Sequence, residues 1–540
     1  MTMEGDAATV VCLRGTPVSP GFARGALVVL AGEGPVACTA GAAADEAGNL
    51  RAAIARARAE LAAVAERAGD GEAQTILAFQ IAMLGDSVVT DPAYAAIAGG
   101  AAAASAWRTA MQSQIAEYHD AEDLYFRARA SDLRDMRDRV LCCLAGAAPR
   151  PIDSGSIVVA GDLAPSRFLE ITWDGGGLAL RHGSPNSHVA MLARARAVPM
   201  LIGLEDADLN GHTEALIDTD IAALVASPDA GFAASFASRQ RRSEIARADA
   251  ERYAHLPAVT ADGEHVHVLV NVADGRELEQ VDPACCDGIG LVRTELMLRD
   301  RAVLVDEEAQ CQAYRRIVRW AQGRPVSIRT LDAGGDKPVA GYTVDGEANP
   351  FLGMRGVRLS LTHPDVFTVQ LRALARAAAA GPLQVMLPMV TSPREVDRAR
   401  TLLEGAVTAL RREGVECAAP ALGIMVEVPA AALAIDLFDV DFVSIGSNDL
   451  IQYVTATSRD SNSHAPLQDP LQPAVLRLMR EVVAHAKKKG IPASLCGDMA
   501  ADARCIPALL DLGLRSLSVA PAALARVKRA IAGHAVGTPK

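Results

Sequence analysis

Eight short, apolar, β-prone runs recur along the second half of this chain. They are Val266–Asn271, Gly288–Val292, Val326–Thr330, Gln384–Met389, Leu422–Val426, Phe442–Ile445, Ala493–Cys496 and Ser516–Ala520. Stretches with apolar residues at helical spacing fall between most of them, such as Val366–Ala380, Arg394–Glu413 and Pro473–Lys489. Eight alternating β/α units over about 250 residues is the size of a (β/α)8 TIM barrel. A doubly wound sheet is the competing architecture.

The first half has a different rhythm. Val10–Ala31 is β-like and punctuated by Pro and Gly. From about Ala42 to Ala145, Ala, Arg and Glu dominate at helical spacing. Leu50–Leu61 and Asp120–Leu144 read as helices, with breaks expected at Ala68–Gly71, Gly85–Asp91 and Gly99–Gly100. After Pro151 the pattern returns to a small α/β module: strands at Ser156–Ala160 and Glu214–Asp218, with Gly-rich turns and one short helix between them. The charged stretch Ala233–Tyr253 reads as a linking helix. A helical subdomain inserted into an α/β domain, followed by a barrel, makes this a multidomain α/β protein.

Composition narrows the function. Of 540 residues, 53 are Lys or Arg and 65 are Asp or Glu, a net charge of −12, which argues against a general nucleic-acid or acidic-membrane binder. No apolar run reaches the ~18 residues of a transmembrane helix. The N-terminus lacks a basic start followed by an apolar stretch, so no secretory signal is expected and the expected location is the cytoplasm. The ten cysteines are scattered without a CxxC, which fits reduced thiols better than a disulfide framework. There is no GxxxxGK[ST] and no HExxH.

In a barrel, functional residues gather at the C-terminal ends of the strands. Arg293, Arg329, Glu427, Asp449 and Cys496 follow five different runs and are expected at one rim. Singly, each arginine reads as an ion-pair residue and each carboxylate as a helix cap. Together they suit a small phosphorylated dianion, because Arg forks bind phosphate and carboxylate and paired carboxylates suit Mg²⁺. A second candidate is His188, beside Ser187 at the start of an apolar helix, where backbone N–H groups favour an anion. A histidine there accepts a phosphoryl group or merely caps or packs. His182 nearby makes a metal pair a third option, although the spacing matches no zinc signature.

Several segments carry a resemblance. They are Val18-Ser-Pro-Gly21, Arg129-Ala-Ser-Asp-Leu-Arg-Asp135, Ser187-His-Val-Ala-Met-Leu-Ala-Arg194, Gly290-Leu-Val-Arg-Thr-Glu295, Asn349-Pro-Phe-Leu-Gly353, Gly446-Ser-Asn-Asp-Leu450 and Cys496-Gly-Asp498. With them, nearly the whole chain resembles the enzyme I family of the bacterial phosphoenolpyruvate:sugar phosphotransferase system. The resemblance implies a swivelling α/β phosphohistidine domain (1–35 and 146–232) and an inserted helical subdomain for the histidine phosphocarrier protein HPr (36–145). It implies a linker helix (233–260) and a phosphoenolpyruvate-binding barrel (261–540). By motif, His188 is the phosphorylated residue and Cys496 protonates the enolate. Arg293, Arg329, Asn448, Asp449 and Arg459 grip phosphoenolpyruvate (PEP), and Glu427 and Asp449 hold Mg²⁺.

The implied activity is an Mg²⁺-dependent phosphotransferase with a protein-histidine acceptor. It acts on PEP and on HPr or an HPr-like carrier, as a homodimer through the barrel, and opens sugar uptake. The alternatives are a paralogue serving a nitrogen-type regulatory relay and a non-catalytic scaffold derived from the same ancestor. The chain departs from the family pattern at Gln80, where histidine is common, and at Ala164, where threonine is usual. It departs again at Ser458, usually aspartate, and at Asp498, usually glutamate.

Overall fold

In a computed structural model of the chain, each of the eight runs of the second half is a strand, within two residues of its expected ends. The structure describes residues 10–30, 43–68, 72–120, 124–146, 151–183, 187–272, 275, 277–298, 301–335, 337–344, 346–458 and 467–535. The chain divides into two compact units, Met1–Arg242 and Ser243–Lys540.

In the second unit the strands are β9 (His267–Val272), β10 (Ile289–Arg293), β11 (Val326–Arg329), β12 (Leu383–Leu387), β13 (Ala421–Val426), β14 (Val443–Gly446), β15 (Ala493–Cys496) and β16 (Ser516–Val519). They pair in parallel in chain order, and β16 pairs back onto β9, so the sheet closes. Closure leaves no edge strand to protect and rules out the doubly wound alternative. Sequence signals set the helix ends. Helix Pro393–Arg412 opens with Pro393 and the Ser392/Glu395 capping box and ends in Arg411 and Arg412. Helix Pro473–Lys489 ends in three lysines followed by Gly490 at φ +70°, a left-handed position suited to glycine. One continuous apolar core fills the space between strands and helices, from Val268 and Ile289 to Leu403, Met479 and Leu517.

The first unit carries an eight-stranded sheet, in the spatial order β1-β8-β7-β3-β4-β5-β6-β2. Its strands are β1 (Val11–Arg14), β2 (Thr16–Ser19), β3 (Phe22–Leu30), β4 (Ile157–Ala160), β5 (Gly177–Leu180), β6 (Met200–Ile202), β7 (Glu214–Asp218) and β8 (Ala223–Ala226). The long β3 pairs antiparallel with β7 through Phe22–Ala26 and parallel with β4 through Leu27–Leu30. Between β3 and β4 run the helices Ala43–Ala68, Glu72–Met83, Ser87–Ala98, Ala103–Asp120 and Leu124–Leu144. They share their own core around Leu50, Leu61, Leu77, Trp107, Met111 and Leu133.

Two expectations need correction. The break expected at Gly85–Asp91 is shorter, because Asp86 caps the helix Ser87–Ala98 and Asp91 lies inside it. Pro92 is tolerated there: the Val88 carbonyl, which its missing N–H leaves without a helical donor, accepts from Gln114 Nε2 at 3.2 Å. The α/β module holds two helices where one was expected. Pro165–Glu170 has only six residues, too few to show a period. Helix Ala230–Glu251 spans the division between the two units. No helix among the described residues is long and apolar enough to cross a membrane.

The inserted helices grip the α/β module through a buried polar network. Asp135 accepts from Gln80 Nε2 (3.0 Å), Ser166 Oγ (2.8 Å) and the Ser166 N–H (3.2 Å). Arg139 donates to Ser166 Oγ at 2.9 Å and Glu170 at 2.6 Å. Two departures from the family pattern fall here. Ala164 is the N-cap of Pro165–Glu170 and makes no capping bond. Asp135 instead reaches in from the neighbouring helix to take the Ser166 N–H. Burial pushes the Asp135 carboxyl up despite Arg139. Asp135→Asn keeps the shape but turns an acceptor into a donor facing donors. We expect a loss of about 1–3 kcal/mol in denaturant melts of the first unit.

Candidate active site

The strand register assembles the barrel site. Arg293 and Arg329 are direct partners across β10 and β11, and Gly446 and Cys496 across β14 and β15, all at the C-terminal ends. Arg329 is 5% exposed. It donates to Glu295 Oε1 at 2.7 Å and pairs with Asp332 at 3.1 Å, and its Nε has no partner among the described residues. Lys337 also reaches Glu295, at 2.8 Å. The rim thus brings together Arg293, Arg329, Glu427, Asn448, Asp449 and Cys496. Arg459 lies outside the described residues.

The sequence reading missed Arg355, which is fully buried. Its Nε and Nη2 donate to the two oxygens of Asp332, each at 3.1 Å, and its Nη1 and Nη2 to those of Asp449 at 3.1 and 3.2 Å. It follows Asn349-Pro-Phe-Leu-Gly353 rather than a strand, so reading only strand ends passed over it. Gly356, next in the chain, has φ +62°, and a Cβ there would sit 2.9 Å from the Met389 side chain, so this loop lies close over the barrel.

Charge placement separates the acids. Burial alone raises Glu295, but Arg329 and Lys337 outweigh it and hold its carboxyl down to about 2. Burial, then Asp449 and Asp332, push Glu427 up to about 8. Asp332 is held well below the carboxylate range, because Arg329, Arg355 and Lys337 outweigh its burial. For Glu295 the folded value lies below the ordinary 4.5, so its stabilisation is present above that pH and is lost as pH falls toward 2. Glu295→Gln is expected to flatten the loss of barrel stability between about pH 5 and pH 2, read by urea melts at each pH.

Glu427 and Asp449 fit an Mg²⁺ pair. Glu427 Oε1 accepts the Met389 N–H at 2.7 Å, while Oε2 lies against Gly446, where a Cβ would come within 2.8 Å. The pair repels strongly enough to help raise Glu427. One or two carboxylates, with the remaining coordination positions open to substrate oxygens and water, are the donor set Mg²⁺ takes. Asn448 is held by Asp498: its Nδ2 donates to Oδ2 at 3.1 Å and its Oδ1 accepts the Asp498 N–H at 2.9 Å. Gly497, at φ +104°, leaves no room for a side chain beside Asn448 and Ser447. The Cys496 thiol packs inside the barrel with Leu291, Met386 and Met425. It contacts the Ile445 carbonyl at 3.5 Å and Ser444 Oγ at 3.7 Å, and burial pushes it up, so it keeps its proton at neutral pH.

The second candidate lies in the first unit. Ser187 caps the helix His188–Ala195 by accepting the Ala190 N–H at 3.3 Å. His188 Nδ1 lies 3.3 Å from the fully buried Asp132, and the imidazole stays 15% exposed. Asp132 and Asp135 sit three apart on one helix face, so Leu124–Leu144 addresses the α/β module through both. Sequence reasoning gave Asp132 no role. Its place in Arg129–Asp135, three residues before Asp135, was the available signal.

Three family models match the chain. All are described as PEP-utilising enzyme: the PEP-binding domain over residues 247–536, the N-terminal domain over 14–129 and the mobile domain over 152–221. The chain is 36% identical over 512 residues to the phosphoenolpyruvate-protein phosphotransferase of Cupriavidus necator, covering 90% of this chain and 87% of that one. It is 35% identical over 488 residues to that of Geobacillus stearothermophilus, covering 88% and 84%. It is 34% identical over 426 residues to that of Staphylococcus carnosus, covering 77% and 74%.

Proposed function

The chain belongs to the PEP-utilising enzymes and is a phosphotransferase, and from that premise we propose that it moves the phosphoryl group of PEP to His188 and then to a histidine of HPr or an HPr-like carrier, releasing pyruvate. The observation that carries this reading is the convergence of Arg293, Arg329, Glu427, Asp449 and Cys496 on one barrel rim.

Each residue then has a task. Arg293 and Arg329 bind the phosphate and carboxylate of PEP, together with Asn448 and, by family motif, Arg459. Asp132 accepts from Nδ1–H of His188 and so leaves the Nε2 lone pair as the nucleophile. Nε2 forms the new P–N bond as the P–O bond to the enol oxygen breaks, and the electron pair leaves with the enolate. Cys496 donates its proton to the enolate carbon, giving pyruvate. Arg293, Arg329, Lys337 and Arg355 face the carboxylates Glu295, Asp332 and Asp449, with Glu427 pushed up toward its neutral form, so these side chains leave about one net positive charge, too little to neutralise the phosphate and carboxylate of the substrate. Bound Mg²⁺, held by Glu427 and Asp449, supplies that charge neutralisation.

Opening sugar uptake from the cytoplasm belongs to the same reading. So does a homodimer through the barrel, for which Leu433 and Leu437, 71% and 63% exposed, offer apolar surface. The test is a time course of pyruvate release from PEP and Mg²⁺. We expect a burst of one pyruvate per chain, then continuous turnover once HPr is added. Absence of the burst would refute PEP as donor, and a burst without HPr-driven turnover would refute the carrier. Asp132→Asn should slow the burst roughly 10- to 100-fold with PEP binding unchanged.

A further inference from the structure

Away from the rim described above, three unlike side chains meet near the start of β10. His255 lies in the segment that follows helix Ala230–Glu251, while Asp282 and Cys285 lie in the turn that leads into the strand. One ligand atom from each falls within 4.8 Å of the other two. Cys285 Sγ is 3.4 Å from Nδ1 and 3.8 Å from Nε2 of His255, and Asp282 Oδ2 is 3.8 Å from His255 Nδ1. We propose that His255, Asp282 and Cys285 bind a borderline-soft divalent cation of the zinc type.

Three observations carry the proposal. The first is spacing. Zinc bonds of about 2.3 Å to sulfur and about 2.0–2.2 Å to nitrogen and oxygen, at tetrahedral angles, put neighbouring ligand atoms roughly 3.4–3.6 Å apart. The His255–Cys285 and His255–Asp282 spacings, 3.4 and 3.8 Å, lie within a few tenths of an ångström of that edge, and the Asp282 and Cys285 ligand atoms lie within 4.8 Å of each other. The second is preorganisation from behind. Buried Lys528 donates to the carbonyls of Ala254 and Leu256, each at 2.8 Å, and so clamps the backbone on both sides of His255. Asp282 Oδ1 accepts the Ala284 N–H at 2.9 Å, which leaves Oδ2 turned toward the imidazole. Groups that fix ligand orientation in this way typically account for 10- to 100-fold in metal affinity.

The third is donor chemistry and access. A thiolate, an imidazole and one carboxylate select zinc over Mg²⁺, which takes oxygen ligands and holds its waters. His255 and Asp282 are 68% and 55% exposed at the side chain, so an ion reaches the site directly from solvent, and water completes a fourth position. The site is separate in residues and in metal preference from the Glu427–Asp449 pair. Because it joins residue 255 to residues 282–285, an ion there fastens the entry segment of the barrel to its second strand.

The test uses Co²⁺ as a spectroscopic stand-in, titrated into the full-length, reduced protein in the presence of excess Mg²⁺. The expected result is one tightly bound Co²⁺ per chain, with a thiolate-to-cobalt charge-transfer band and tetrahedral d–d intensity, displaced by Zn²⁺. Cys285→Ser should remove the charge-transfer band and weaken Zn²⁺ binding roughly 100-fold or more. His255→Ala should weaken binding similarly, while Cys286→Ser keeps both the band and the affinity. Both His255 and Asp282 are exposed, so their variants fold, and the phosphotransfer burst of Cys285→Ser should match the parent. Absence of the band in the parent protein, or a band that survives Cys285→Ser, overturns the proposal.

Discussion

His188→Ala is expected to take up no phosphoryl group from PEP while binding PEP and Mg²⁺ as the parent does. The substitution removes the nucleophile and leaves the barrel rim untouched. It also leaves the fold in place, because the helix cap at Ser187 does not use the imidazole. The loss should therefore be complete in a single-turnover assay, with no added imidazole, whereas a residue that only positions the histidine would leave a slow residual rate. Thermal melting should move by no more than a few degrees. A variant that still gained one phosphoryl group per chain would remove His188 from the mechanism.

Arg355→Met should be the most damaging change to the barrel. The guanidinium is buried and bridges Asp332 and Asp449, each through both oxygens. Without it, two buried carboxylates face each other beside Glu427, already pushed up to about 8 by its burial and its acidic neighbours. Breaking a buried pair from one side typically costs about 3–5 kcal/mol. For a unit of this size that is a fall of roughly 10 °C in melting temperature. Activity should fall further than stability, since Asp449 loses the group that orients it. Arg355→Lys is not expected to rescue either property, because an ammonium cannot make paired bonds to two carboxylates at once. Differential scanning calorimetry beside the pyruvate burst separates the two effects, and a melting temperature unchanged in Arg355→Met would refute the bridge.

The barrel was legible because its physics is local and repeated. Each strand is a short apolar run, and long helices such as Pro393–Arg412 and Pro473–Lys489 announce themselves with a Pro at the start and a basic end, the second followed by glycine. Closure of the sheet was not legible, because it depends on β16 returning to β9 across almost the whole length of the unit. The rim residues that end a strand, Arg293, Arg329 and Cys496, could be placed from the pattern alone. Arg355 could not, since a loop of Gly, Pro and Asp carries no period. Asp132 and Asp135 were visible as charges on a helix but not as partners of His188 and Ser166, because those contacts join segments 56 and 31 residues apart. The departures at Gln80 and Asp498 became interpretable only with their partners. Gln80 holds Asp135, and Asp498 holds Asn448.

The central claim is that one histidine of this chain carries the phosphoryl group of PEP. Intact-protein mass spectrometry at alkaline pH, where a phosphohistidine survives, tests it in one step. After mixing with PEP and Mg²⁺, the chain should gain one phosphoryl group, mapped to the peptide containing His188, with an equal amount of pyruvate released. A chain that gains nothing, or gains the group at another residue, contradicts the account.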